Sequence, residues 1–164
     1  MIEGLFPGLS ALQNIHPMLV HFPIAFFVGA LAMEAMAVFR DEKFHLVATW
    51  MLYLGTLSAI ITLFSGFIAA GSVASTNPRG HQAPGHEFIH IHRNFMAATT
   101  LWAILLSGFL YWINKRGKWK SQRWILLIGL IVLGAMVSLG ADRGGQLVFE
   151  FGVGVNPGVI KEIP

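Results

Sequence analysis

The chain of 164 residues contains no cysteine. That excludes structural disulfides, iron–sulfur ligation, covalent haem attachment through C-x-x-C-H and any thiolate nucleophile, so redox chemistry here would rest on a cofactor held by other ligands. Charge is scarce as well: Asp, Glu, Lys and Arg make up 12% of residues, against about 25% in an ordinary soluble domain. No Ser/His/Asp set and no phosphate-cradling glycine loop stands in a context that suggests a hydrolase or transferase. The opening MIEGLFPGLS has no Lys or Arg ahead of its apolar run and no small-residue cleavage pattern, so no cleaved signal is expected.

What remains is apolar. Hydrophobic residues account for 55% of the chain and mean hydropathy is +0.64, values of an integral membrane protein. About 20 apolar residues are needed per crossing, so the length accommodates four spans and leaves no room for a separate soluble domain. The expected fold is an all-α, integral membrane four-helix bundle, one transmembrane domain over residues 1–164, with helices at about 18–39, 46–71, 87–114 and 123–141. Pro17 suits a first helical turn, whereas Pro23 should bend the first helix or delay its start. The loop SVASTNPRGHQAPG separates helices two and three, ADRGGQ reads as a polar exit from helix four, and LVFEFGVGVNPGVI reads as a short interfacial or paired tail.

Arg40 and Lys43 share one side with Lys115, Arg116, Lys118, Lys120 and Arg123. The positive-inside rule makes that side cytoplasmic, which places both termini outside the cytoplasm. Tyr111, Trp112, Trp119 and Trp124 bracket the basic loop at the depth amphipathic rings prefer. A pI near 9.6 is accounted for by a basic loop beside anionic lipid and implies no nucleic acid.

Six of the seven histidines, His16, His21, His81, His86, His90 and His92, gather at the opposite, outward end. Ionisable groups inside a span are costly and usually face the bundle interior. His21 therefore reads either as a ligand or as a neutral imidazole bonded to a carbonyl freed by Pro23. His86 and His90, four residues apart, project from one helical face, while His92 addresses a different neighbour.

Two kinds of site can use this set. Zinc or copper takes nitrogens in a compact shell, which suits His86 and His90 together, with a loop residue such as His81. A b-type haem takes one imidazole on each face of a flat ring, supplied by different helices, which suits His21 opposite His90 or His92. Arg93 and Arg143 lie near the same depth and can pair with propionates; Arg143 beside Asp142 can equally be a simple helix-end pair. Gly66, Gly71 and Gly140 can allow close approach. His45 is the lone imidazole at the basic end, so a second bis-histidine haem is not expected there. Glu34, deep in helix one, reads as a snorkelling interfacial carboxylate or a proton-handling group.

The stretch N-I-H-P-M-L-V-H-F-P-I-A, Asn14 to Ala25, together with G-G-Q-L-V-F-E-F-G-V-G-V, Gly144 to Val155, resembles a family of small bacterial four-helix membrane proteins known as domain of unknown function 2231 (DUF2231). The resemblance covers nearly the whole chain. It implies kinship with the two-haem cytochrome b group and occurrence beside Rieske or cytochrome c modules, hence electron transfer. By position, the family histidines match His16, His21 and His92; a tail histidine of the family is replaced here by Phe151.

The leading expectation is thus a membrane-bound electron-transfer subunit, not itself a catalyst, holding one haem b near the extracytoplasmic face. Its ligands would come from His21, His92, His90 and His16, with Arg93 and Arg143 beside them, and it would exchange electrons with a quinone or an extracytoplasmic redox protein. The alternatives are a divalent-metal binding or transport protein using His86 and His90, and a cofactor-free structural subunit of a membrane complex.

Overall fold

The computed structural model describes residues 12, 14–76, 82 and 85–155, the side chains of 72–76 excepted. Its helices are α1 (His16–Leu19), α2 (His21–Phe39), α3 (Phe44–Thr76), α4 (His86–Lys115) and α5 (Trp119–Phe149). The stretches His16–Phe39, Phe44–Gly71, His86–Lys115 and Trp119–Phe149 are each long and apolar enough to cross a membrane. The shortest, 24 residues, rises about 36 Å against a hydrocarbon core of about 30 Å. The protein is a multi-pass, all-α membrane bundle.

Antiparallel α2 and α3 pack along their length, as do α4 and α5, and contacts of α3 with α4 and of α2 with α5 close the ring. The core is built from Phe27, Ala30, Leu52, Ala103, Leu106, Leu110, Ile113, Leu126, Leu130 and Leu133. Small residues let the backbones approach: the ring of Phe27 covers Gly55, and Leu106 covers Gly129. The outer surface carries Phe64 at 67% exposure, Ile68 at 75% and Leu46 at 65%, a pattern that only lipid contact makes inexpensive.

Pro23 does break the first helix, and the break is repaired. Proline has no N–H to give the carbonyl four residues back, that of Leu19. The hydroxyl of Thr62 on α3 donates to this carbonyl at 3.3 Å. A freed carbonyl at membrane depth is costly, so Thr62 both satisfies it and ties α3 to the kink. The kink marks the boundary between α1 and α2.

The last span, α5, departs most from the sequence expectation. It continues through Asp142, Arg143, Gly144, Gly145 and Gln146 to Phe149, about two turns past Ala141. Composition there suggests a loop, but helical spacing persists: Leu130, Leu133, Val137, Gly140 and Leu147 are all buried, and with Gly144 they follow steps of three and four on one face. Helix α3 similarly extends beyond Gly71 to Thr76, and α5 starts at Trp119, ahead of Arg123. Gly152, at φ +63°, follows the end of α5, where the Gly152 and Val153 amides bond to Val148 and Leu147 carbonyls.

The tail then folds back. Val155 pairs with Leu12 in an antiparallel bridge, and Phe151 stacks on Phe88 with ring centroids 5.1 Å apart. Gly85, the N-cap of α4, has φ +87° and lies under Phe151, which leaves no room for a Cβ.

Candidate cofactor site at the histidine end

Register decides which histidines turn inward. On α4, Ile89, His92, Met96, Thr99, Ala103, Leu106, Leu110 and Ile113 follow alternating steps of three and four, a single stripe toward the core. His92 lies on that stripe and is half-buried, whereas His90 is exposed. On the first span, His16 opens α1 with its amide donating to Asn14 Oδ1 at 3.1 Å. His21, by contrast, is exposed and its Nδ1 donates to the Met18 carbonyl at 3.3 Å. It does not serve the carbonyl freed by Pro23, which Thr62 takes instead.

The imidazole of His16 is held in one orientation. Its Nδ1 lies 2.9 Å from Ser65 Oγ, and the same hydroxyl donates its hydrogen to the Thr62 carbonyl at 2.7 Å. A hydroxyl has one hydrogen, so both bonds exist together only if Ser65 accepts from His16 Nδ1–H. In the neutral imidazole this arrangement leaves the lone pair on Nε2. An Nδ1–H bonded to a polar neighbour, with Nε2 left as donor atom, is the usual second-sphere arrangement of a ligating histidine.

His92 sits across from it. The two side chains are close enough to interact electrostatically, and Arg143 also acts on His92. Each ring rests where a glycine removes a side chain: a Cβ on Gly66 would stand 2.9 Å from His16 Cε1, and one on Gly144 would stand 3.2 Å from His92 Cε1. The His92 ring also meets the backbone of Gly140, while its Nδ1 is buried and, among the described residues, has no partner in good hydrogen-bond geometry. Buried polar atoms are nearly always paired, so an orphan of this kind is a candidate position for a ligand.

Arg93 and Arg143 flank the pair, resting over the rings of Phe67 at 5.5 Å and Phe95 at 5.6 Å. Arg143 forms no ion pair with Asp142 among the described residues. Both guanidinium groups thus remain available to anionic substituents. Of the glycines expected to admit a ring, Gly66 receives His16, Gly140 is filled by Met96, and Gly71 has open space beside it.

His86 and His90 meet each other instead of this pair. Their Nε2 atoms are 3.1 Å apart. His81 lies outside the described residues. No group of three or more His, Cys, Asp or Glu side chains able to hold a metal occurs among the described residues.

The family described as "Predicted membrane protein (DUF2231)" matches residues 12–157. The chain belongs to the DUF2231 family. Comparison with curated proteins and with solved structures finds no match. In this DUF2231 protein the two motif stretches, distant in sequence, close on one another: Leu12 pairs with Val155, and a Cβ on Gly154 would stand 4.0 Å from Pro17. Phe151 packs on Gly85 and Phe88, so this position acts through packing.

A second polar cluster lies at the basic end. Glu34, expected to snorkel, is fully buried. Its Oε2 bonds to His45 Nδ1 at 2.7 Å and its Oε1 accepts from Trp119 Nε1 at 2.6 Å. His45 Nε2 reaches Asn114 Oδ1 at 2.9 Å, and Asn114 Nδ2 donates to Thr49 Oγ1 at 3.4 Å. One residue or more from every span is therefore joined in a single network. The signal in the sequence was one acidic and one imidazole residue at matching depth on successive helices, flanking the turn at residues 40–43.

Proposed function

We propose that this DUF2231 protein is a membrane-bound b-type haem protein, an electron-transfer subunit that holds one haem between His16 and His92. The observation that carries the proposal is the fixed tautomer of His16, with Nε2 unprotonated, opposite the buried and unpartnered Nδ1 of His92. The donor set fits the group: two imidazoles from different spans, glycines behind both rings, and two arginines beside them. His16 takes the place that the sequence suggested for His21, whose ring faces outward.

A bound haem supplies a one-electron couple. The chain's own contribution is to keep His16 oriented through Ser65, to seat His92 against Gly144, and to place Arg93 and Arg143 where negative charge is to be met. The positive-inside rule turns this end away from the cytoplasm, in keeping with a quinone or an extracytoplasmic redox protein as electron partner and with a bacterial inner-membrane location. The test is a reduced-minus-oxidised visible spectrum of the purified protein and of His16→Ala and His92→Ala. A low-spin b-type band lost in both variants supports the reading, and a colourless folded protein made with ample haem refutes it.

A further inference from the structure

The first turn of α4 carries a pair of imidazoles outside the proposed haem site. His86 and His90 are four residues apart, so they project from one side of the helix. Their ring planes stand at 86° with centroids 4.8 Å apart, and their Nε2 atoms converge to 3.1 Å. At that distance one Nε2 donates and the other accepts, so a single proton occupies the space between two inward-directed nitrogens.

From this geometry we infer that His86 and His90 form a two-nitrogen site for a borderline divalent cation of the zinc or copper type. Two nitrogens bound at about 2.0–2.1 Å, with an angle of about 100–110° at the metal, stand about 3.1–3.4 Å apart. The observed separation of 3.1 Å falls within that range, and a modest turn of the rings aims both lone pairs at a common point. An ion replaces the shared proton, and each histidine contributes a lone pair.

The surroundings favour a cation. Glu87 is exposed in the same turn and its charge offsets the positive pole of the α4 N-terminus, which by itself opposes cation binding. Residues His86-Glu87-Phe88-Ile89-His90 also reproduce the H-E-x-x-H spacing of zinc-binding helices, a signal overlooked when the histidines alone are weighed. Among the described residues the pair supplies two protein ligands, against the four of closed structural zinc.

The backbone under the pair is fixed. Phe151 covers Gly85, and Phe88, between the two histidines in sequence, stacks on the same ring. The tail thereby anchors the turn that presents both imidazoles.

The test uses the full-length, detergent-solubilised protein freed of any polyhistidine tag. ZnCl2 is titrated calorimetrically into the parent, His86→Ala, His90→Ala and the His16→Ala/His92→Ala double variant. The expected result is one saturable site per chain in the parent and in the double variant, with saturable binding lost in His86→Ala and in His90→Ala. Electron paramagnetic resonance of the parent loaded with one equivalent of Cu2+ should show nitrogen splitting, which keeps the question answerable if a variant folds poorly. Absence of saturable Zn2+ binding by the parent overturns the inference, as does binding that survives in both single variants or disappears only in the double variant. The last outcome would assign the ion to the His16–His92 pair, and a colourless parent that still binds Zn2+ through His86 and His90 would refute the haem reading while sustaining this one.

Discussion

Glu34 Oε2 and His45 Nδ1 lie 2.7 Å apart and hold one proton between them. Asn114 Nδ2 donates to Thr49, which turns Asn114 Oδ1 toward His45 and requires His45 Nε2 to carry a hydrogen. Nδ1 therefore faces the carboxyl group either as an imidazolium donor to carboxylate or as an acceptor from the carboxylic acid. In both descriptions this Glu34–His45 network contains one transferable proton and leaves none of its own polar atoms unpaired, as a low-dielectric site demands.

This arrangement distinguishes two substitutions of Glu34. Glutamine keeps the network, since its oxygen accepts from Trp119 and its amide donates to a neutral His45. Alanine leaves Trp119 Nε1 and His45 Nδ1 without partners and should cost about 3–5 kcal/mol. Thermal unfolding in detergent should place Glu34→Gln near the parent and Glu34→Ala far below it. Equal loss in both would show that the network is not what stabilises this end.

The repaired kink gives a coupled pair. Thr62→Val removes the donor to the Leu19 carbonyl and should cost about 1 kcal/mol. Pro23→Ala restores an amide to bond that carbonyl, so the cost of Thr62→Val should shrink in the Pro23→Ala background. A double-mutant cycle on unfolding free energies measures this, and strict additivity would contradict it.

Glycine substitutions should separate the site from the scaffold. Gly66→Ala brings a Cβ to 2.9 Å from His16 Cε1, Gly144→Ala one to 3.2 Å from His92 Cε1, and Gly71→Ala meets nothing within 4 Å. Pigment yield per folded protein should fall most in Gly66→Ala, less in Gly144→Ala and not at all in Gly71→Ala. Equal yields in the three would mean that the rings move freely.

Gly85→Ala tests the docked tail. A side chain at φ +87° is strained, and its Cβ would meet the Phe151 ring, so a loss of about 1 kcal/mol or more is expected. Amide exchange should rise at residues 151–155 in both Gly85→Ala and Phe151→Ala. Unchanged protection there would show that the tail is held by something other than the Phe88–Phe151 stack.

Much of the fold was legible because long apolar runs admit few alternatives: 55% hydrophobic residues and breaker-rich connections mark four crossings. The ends were harder. Asp142, Arg143, Gly144 and Gly145 carry loop composition, yet the stripe through Val137, Gly140 and Leu147 keeps the helix intact to Phe149.

For the site, residue type identified the histidine end, and register chose among its members. His92 continues the stripe of Thr99 and Ala103, while the break at Pro23 shifts His21 outward and leaves His16 beside Ser65. The His16–Ser65 bond joins α1 to α3 across 49 residues, and no local pattern announces such a contact. Glu34 was misread for the same reason, because its partners lie on two other helices.

Haem ligation by His16 and His92 is open to a dithionite-reduced minus oxidised spectrum of the detergent-solubilised protein, produced with ample haem. The expected result is a sharp low-spin b-type α-band in the parent and in His21→Ala, absent from His16→Ala and His92→Ala. A colourless folded parent, or a band that survives in His16→Ala or vanishes in His21→Ala, would contradict it.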